Sequence, residues 1–222
     1  MVFQLNDDLV FPNPKNGEED GLLAIGGDLS VDRLLLAYSY GIFPWYAFKE
    51  GVIEWWCPMD RFVIFPEKIH VSHSMRTLLR KQKYMVSINQ AFKDVIHNCG
   101  HLRIESPGAW LGPDMEDAYT RLHDQGFAKS VEVWEVKDDL GNSVEPKLVG
   151  GLYGMCIGKC FFGESMFSLV PSASKIALIH LANVMKDCGG VMIDCQFETS
   201  HLKSMGGEHI AYDEYMKYLR MQ

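Results

Sequence analysis

The pattern of apolar and polar positions divides the chain into a turn-rich opening and a longer part with more regular periodicity. Up to about residue 60 the sequence is rich in proline, glycine and aromatic residues, and one short helix is predicted between turns. Ser30 is suited to cap this helix and Gly41 to end it. A short helix followed by an aromatic turn indicates a small module rather than a full domain.

The middle of the chain predicts helices alternating with short strands. A strand at DRFVIF precedes a helix over residues 74–81, and the strand MVSIN follows. Asn89 is predicted to cap a second helix that stops at Gly100. Pro113 is predicted to open a longer helix that ends at Gly126.

After residue 127, strands dominate. KSVEVWEV alternates as a half-buried strand, and LVGGLYGMCI and CFFGESMF are predicted as a hairpin joined at Gly158 and Lys159. A helix, the short strand VMIDCQF and two closing helices follow. The order predicts an α+β fold in which helices pack on an antiparallel sheet, as in acyltransferases, with domains over residues 1–58 and 59–222.

Composition excludes several classes of protein. The apolar runs are interrupted by glycines and charges too often to span a bilayer, and the opening MVFQLNDDLVFPNP lacks the features of a signal peptide. We therefore expect a cytoplasmic protein. The six cysteines form no CxxC pair, and His97, Cys99 and His101 lack a second cluster to complete a zinc site, so no metal is expected.

The net charge of −8 opposes general binding to nucleic acid, but one local cluster is basic. Arg76, Arg80, Lys81 and Lys83 fall within eight residues that include no acid. A helix would bring positions 76, 80 and 83 to one face. On charge alone, a solvated helix surface is favoured over a binding surface by roughly two to one.

Three polar residues interrupt apolar strands and are candidates for chemistry. Glu164 lies in GESMFS, where an unpaired buried carboxylate would be costly. Asp194 and Gln196 lie two apart in VMIDCQF, so an extended strand would point both to one face, with Cys195 opposite. These residues predict either a buried polar network or an apolar pocket with a few convergent hydrogen-bonding groups.

Common catalytic motifs are absent from the sequence. It contains no GxSxG elbow, no Walker loop and no GxGxxG after a strand. The segment SLVPSASK before the following helix offers no glycine-rich nest for a pyrophosphate, which opposes a CoA-dependent N-acetyltransferase. A non-catalytic module that binds nucleic acid through the basic cluster is a second alternative, but it leaves Glu164, Asp194 and Gln196 without a purpose.

Seven segments, in this order, resemble one family. They are GLLAIGGDLS, RLLLAYSYGIFPWY, WWCPMDR, LVGGLYG, FFGESMFS, ASKIALIHL and IDCQ. Together they extend over nearly the whole chain and are similar to the leucyl/phenylalanyl-tRNA-protein transferases. The resemblance implies a small N-terminal α/β domain and a C-terminal GNAT-like domain with a mainly antiparallel sheet.

The resemblance also implies an activity. The enzyme would move leucine or phenylalanine, and methionine more weakly, from aminoacyl-tRNA to the N-terminal amine of proteins that begin with Arg or Lys. This transfer would mark those proteins for the bacterial N-end degradation route. No metal, organic cofactor or membrane partner is implied.

Roles for individual residues follow from the same matching of motifs. Asp194 and Gln196 correspond to catalytic positions, and Glu164, the third predicted catalytic residue, corresponds to the polar position near the amino-acid pocket. Because a glutamine amide is a poor base, Gln196 is expected to position the attacking amine, with Asp194 holding Gln196 and Glu164 orienting the amino group of the donor. A direct or water-relayed proton transfer to Asp194 is the alternative. The positions that correspond to the apolar pocket are Leu152, Phe161, Ser168, Leu181, Met185 and Ile193. The positions that correspond to tRNA binding are Trp45, Trp110, Tyr38, Tyr119, Arg76, Arg80, Lys81 and Lys83.

Overall fold

The computed structural model describes residues 2–47, 51–102 and 111–221. Within these ranges the chain forms two β-sheets, seven α-helices and two short 3₁₀ helices at Pro14–Asn16 and Pro66–Lys68. No helix in these ranges is long and apolar enough to cross a membrane.

The smaller sheet has four strands in the order β1-β2-β4-β3. Its strands are β1 (Phe3–Leu5), β2 (Leu22–Gly26), β3 (Phe43–Ala47) and β4 (Val52–Trp56). Helix α1 (Val31–Ser39) lies between β2 and β3 in the chain, and Ser30 caps it as predicted, because its side chain accepts a hydrogen bond from the Arg33 amide. The sequence predicted a loop where β4 forms.

The larger sheet has seven strands in the order β11-β5-β10-β9-β8-β7-β6. They are β5 (Asp60–Ile64), β6 (Tyr84–Ile88), β7 (Ala128–Lys137), β8 (Ser143–Ile157), β9 (Cys160–Ser168), β10 (Met192–Asp194) and β11 (Glu208–Ala211). In this sheet β9 and β10 pair in parallel and the other pairs are antiparallel. The predicted mixed structure with mostly antiparallel sheets is therefore confirmed.

Helices cover both faces of the larger sheet. The remaining helices are α2 (His73–Arg80), α3 (Phe92–His101), α4 (Pro113–Asp124), α5 (Ala173–Asp187), α6 (Ser200–Ser204) and α7 (Tyr212–Leu219). Neighbouring residues of β9 belong to different cores, because side chains alternate along a strand: Phe161 joins the core of α5 and Phe162 the core of α1, α3 and α4. The ring of Phe162 packs edge-on against Tyr38, 4.8 Å between centroids.

One local prediction was wrong, and one strand was not predicted. Asn89 does not cap α3, because the N-cap residue is Ala91 and the Asn89 side chain instead accepts a hydrogen bond from the Ser130 amide. Strand β11 was not predicted, because its sequence EHIA does not alternate between apolar and polar residues. It pairs with β5 and thereby completes one edge of the larger sheet.

Candidate active site

A cavity of about 680 Å³ opens beside β8, β9, β10 and α5. Of the predicted pocket residues, five line it: Leu152, Phe161, Ser168, Leu181 and Ile193. Met185 does not line it, since it lies one turn further along α5, beside Gly190. The cavity wall is mainly apolar and carries few polar groups, which is typical of a small-molecule site.

Glu164 lines this cavity and is hydrogen-bonded to two tyrosines. The Tyr38 hydroxyl donates to Oε1 at 2.6 Å, and the Tyr119 hydroxyl donates to Oε2 at 2.9 Å. No Lys, Arg or His in the described part of the chain forms a salt bridge with this carboxyl group. Burial raises the pKa of Glu164 to about 7, although the two hydrogen bonds act in the opposite direction.

Tyr38 and Tyr119 come from α1 and α4 and are fully buried. Their hydroxyls also contact each other. The resemblance implied that both lie near the terminal adenosine of the tRNA. In this structure they lie behind Glu164, where their rings have no exposed face on which a base could stack.

Asp194 is a fully buried carboxylate that forms an ion pair with an equally buried arginine. Arg61 donates from Nε to Oδ1 at 2.8 Å and from Nη2 to Oδ2 at 2.7 Å. The Tyr215 hydroxyl donates to Oδ2 at 2.8 Å. Asp194 is not among the residues that line the cavity. Its charge is therefore balanced by Arg61 behind the cavity wall.

Arg61 is held between two aromatic rings. Its guanidinium carbon lies 4.8 Å from the ring centre of Phe43 and 4.9 Å from that of Tyr215. Nη1 is buried and has no hydrogen-bond partner among the described residues. Sequence reasoning did not assign this residue a role. The available signal was the arginine of WWCPMDR, which lies in β5, the strand that pairs with β10.

Gln196 reaches the cavity because the backbone turns after β10. The strand ends at Asp194, and Gln196 has a φ of 59°, in the left-handed region. The backbone N–H of Gln196 donates to Asp194 Oδ1 at 2.9 Å, and this hydrogen bond fixes the turn. Because of the turn, Cys195 and Gln196 both line the cavity while Asp194 does not. The prediction that Asp194 and Gln196 share one face, with Cys195 opposite, was wrong.

Aromatic residues from the N-terminal part of the chain close one side of the cavity. Trp45 lines it as part of β3, and its ring lies 5.8 Å from that of Phe197. Phe43 and Phe197 also line it, and neither was predicted. Phe197 follows Gln196 directly, so the turn that brings the Gln196 side chain to the cavity also brings the Phe197 ring there. Trp110 lies outside the described residues.

Comparison with known proteins agrees with this arrangement. The family model "Leucyl/phenylalanyl-tRNA protein transferase" matches residues 63–220, and the model of its N-terminal domain matches residues 27–59. The chain belongs to this family. The two matches together include all the residues described above as lining the cavity.

Curated relatives that match this chain over nearly their whole length carry the same name. One from Syntrophobacter fumaroxidans is 46% identical over 98% of this chain and 89% of its own length. One from Flavobacterium psychrophilum is 46% identical over 97% of this chain and 98% of its own. Among solved structures, FemX covers 86% of this chain and 71% of its own with 10% identity and a TM-score of 0.46, which does not establish a common fold.

The basic cluster is smaller in the structure than in the sequence. Arg76 and Arg80 are exposed on α2, and Lys81 is exposed directly after the helix ends. Lys83 is not on the helix, since the chain leaves it at Lys81 and Gln82 has a φ of 50°. Its ammonium group contacts Glu135 at 3.0 Å and Asp139 at 2.5 Å. Three exposed cations therefore remain available to an anionic partner.

The described residues contain no group of three or more His, Cys, Asp and Glu side chains that could hold a metal ion. Within the segment that was considered for zinc, the rings of His97 and His101 stack at 5.5 Å. Cys99 lies between them in sequence but is buried. The three side chains do not converge on one point.

Proposed function

We propose that this family member moves leucine or phenylalanine, and methionine more weakly, from aminoacyl-tRNA to the N-terminal amine of proteins that begin with Arg or Lys. The observation that carries the proposal is the 43–47% identity to relatives named leucyl/phenylalanyl-tRNA–protein transferase, over 96–99% of the chain. The consequence would be tagging of those proteins for N-end degradation in the cytoplasm.

The donor's side chain is proposed to occupy the apolar part of the cavity. Leu152, Leu181 and Ile193 provide a wall without hydrogen-bonding groups, which suits leucine and phenylalanine. Such a wall discriminates weakly, because a single methylene contributes only about 1–3 kcal/mol. This weak discrimination is the reason to expect methionine as a poorer donor.

The reaction needs positioning more than activation, because an aminoacyl ester is already reactive. The amine nitrogen bonds to the ester carbonyl carbon, and the bond from that carbon to the tRNA 3′-oxygen breaks. The nitrogen loses one proton and the 3′-oxygen gains one. A glutamine amide is a poor base, so Gln196 is proposed to position the amine. Asp194 is proposed to act as a positioning residue, through its hydrogen bond to the Gln196 backbone.

The tRNA is proposed to bind across the aromatic side of the cavity and the end of α2. Trp45 offers a ring beside the cavity for the terminal adenosine, and stacking of a base contributes about 1–3 kcal/mol without regard to sequence. Trp110 is proposed for the same role from its motif. Arg76, Arg80 and Lys81 would contact phosphates.

The proposed domain division follows the two sheets. The smaller sheet ends at Trp56 and the larger begins at Asp60, which supports domains over residues 1–58 and 59–222. A GNAT-like architecture is proposed for the second. The first would contribute Tyr38 and Trp45 to the site, so it would be required for activity.

Transfer itself is tested with radiolabelled leucyl-tRNA and two peptides, one that begins with Arg and one that is identical but N-acetylated. The proposal expects label to move only to the free-amine peptide. No transfer to either, with tRNA still bound, would leave a tRNA-binding module as the function. Acetylation of the free-amine peptide by acetyl-CoA would instead identify an N-acetyltransferase.

The tRNA surface is tested by the salt dependence of tRNA affinity. Arg80→Gln should lower the slope of log K against log salt by about 1, because one phosphate contact is lost. Lys83→Gln is the matched control, since two carboxylates already occupy its ammonium group. An equal decrease of this slope in Arg80→Gln and Lys83→Gln would contradict the proposal that the exposed cations bind the tRNA.

A further inference from the structure

The side-chain oxygens of two tyrosines and one glutamate form a closed ring of hydrogen-bond contacts beside the cavity. Tyr38 contacts Tyr119, Tyr119 contacts Glu164, and Glu164 contacts Tyr38. Each of the three contacts is short enough for a hydrogen bond, and each needs one hydrogen between its two oxygens. The three groups come from α1, α4 and β9, so the ring joins the N-terminal part of the chain to the larger sheet.

The number of hydrogens decides the protonation of this ring. If Glu164 is ionised, the two phenols supply two hydrogens for three contacts. Both phenols then donate to the carboxylate, and the two phenol oxygens face each other with lone pairs only. If Glu164 is protonated, three hydrogens serve three contacts, and every group donates once and accepts once. In this neutral state the carboxyl group donates to one phenol and accepts from the other. Two phenols that both donated to Glu164 would favour its charged form, but only the neutral form places a hydrogen in the contact between Tyr38 and Tyr119 as well.

The charged and titratable surroundings of Glu164 agree with a neutral state. Asp194 on β10 opposes ionisation of Glu164, and Arg61 on β5 favours it, but these two form an ion pair with each other. Tyr153 on β8 is fully buried, and its hydroxyl has no hydrogen-bond partner among the described residues. Burial is the main reason that the pKa of Glu164 rises to about 7.

We propose that Tyr38 and Tyr119 are positioning residues that hold a proton on Glu164 in the empty site, and that binding of a substrate ammonium group at the cavity expels this proton. The second part rests on the proposed function, since the donor carries such a group. An ammonium beside the ring stabilises the carboxylate by direct ion pairing. In the balanced step, the neutral carboxyl and the ammonium become an ion pair and one proton passes to solvent.

This assignment gives the two phenols a purpose that base stacking does not. A carboxylate would attract any cation that enters the cavity, whereas a neutral carboxyl does so only after it gives up its proton. Because its pKa lies near 7, giving up the proton costs little at neutral pH. The ring thereby favours a ligand that has a free α-amine over one in which the amine is acylated.

The proton in the free protein is tested by infrared spectroscopy at pH 6. The difference between the wild type and Glu164→Gln should contain the carbonyl band of a protonated carboxyl group. Glutamine can donate and accept in the same ring, so this variant should fold. Glu135→Gln, a matched control on β7, should leave the band in place. Absence of a band that depends on Glu164 would overturn the proposal whatever the activity.

The expulsion is tested by calorimetry at pH 6 in two buffers that differ in ionisation enthalpy. The ligand is a stable leucyl-adenosine in which an amide replaces the ester, and its N-acetyl form is the control. We expect release of about one proton per bound amine ligand, and none with Glu164→Gln or the acetylated ligand. Binding of the amine without proton release would overturn the proposal. Failure of the analogue to bind, with the infrared band present, would count against the proposed function instead.

Discussion

Two carboxylates lie at or behind the same cavity, and they are neutralised in different ways. Asp194 is fully buried behind the wall and forms an ion pair with Arg61. Glu164 lines the cavity and is met by two phenols rather than by a cation. A paired carboxylate keeps its charge and serves structure, whereas one held by neutral donors can change its charge when a ligand arrives. Asp194 therefore supports the wall of the cavity, whereas Glu164 can take part in binding.

The largest effect should come from breaking the Arg61–Asp194 pair. Asp194→Ala leaves a buried guanidinium without a counter-charge, and such losses typically cost about 3–5 kcal/mol of the free energy of unfolding. Arg61→Ala should cost a similar amount. Urea denaturation of both single variants and the double variant measures it, and the double should cost far less than the sum. Additive costs below about 1 kcal/mol each would contradict the structural role.

The Asp194→Ala variant also tests the catalytic role of Asp194. Protein with Asp194→Ala that remains folded should lose transfer while it keeps most of its affinity for tRNA, because the Gln196 turn loses its hydrogen bond. An unchanged transfer rate would show that this turn does not depend on Asp194.

Glu164 should give the protein a pH dependence of stability. Its pKa is raised from an ordinary 4.5 to about 7 by burial. Its contribution to stability is therefore complete below pH 4.5 and is lost as the pH rises through about 7. Glu164→Gln should remove this loss. Relative to the wild type, its free energy of unfolding should therefore increase by up to about 3 kcal/mol as the pH rises from 4.5 to about 7. Denaturant titrations at several pH values measure the gain. A constant difference between the two proteins would contradict the raised pKa.

Gln196 allows backbone and side-chain contributions to be separated. Gln196→Gly keeps the left-handed turn at little cost but removes the amide from the cavity. Loss of one positioned hydrogen-bonding group typically lowers the rate about 10²-fold, so single-turnover transfer should fall by that order with tRNA affinity unchanged. Gln196→Asn, which tolerates the same backbone, is the control and should retain more activity. Wild-type transfer by the glycine variant would exclude a role for the amide.

Much of the fold was predictable from sequence because the strands of the larger sheet are long and periodic. The hairpin of β8 and β9 was predicted from two apolar segments joined by a tight turn at Gly158 and Lys159. Strands β4 and β11 were missed because neither VIEWW nor EHIA alternates between apolar and polar residues. The motifs also predicted Glu164 and Gln196, both of which line the cavity.

The partners of these residues were not predictable, because they lie far away in the chain. Arg61 and Asp194 are 133 positions apart, and Tyr38 and Glu164 are 126 apart. The left-handed turn at Gln196 also has no local signal, since glutamine rarely adopts it. Assuming an extended strand there led to the wrong face for Asp194.

The central claim is that the cavity beside α5 holds the amino acid during transfer. The direct test is single-turnover transfer of label from leucyl-tRNA to an Arg-initiated peptide by two variants that carry a new tryptophan on this helix. Leu181→Trp fills the cavity, whereas Met185→Trp adds the same ring outside it. With both variants verified as folded, we predict lost transfer for the first and retained transfer for the second. Wild-type transfer by folded Leu181→Trp would contradict the account.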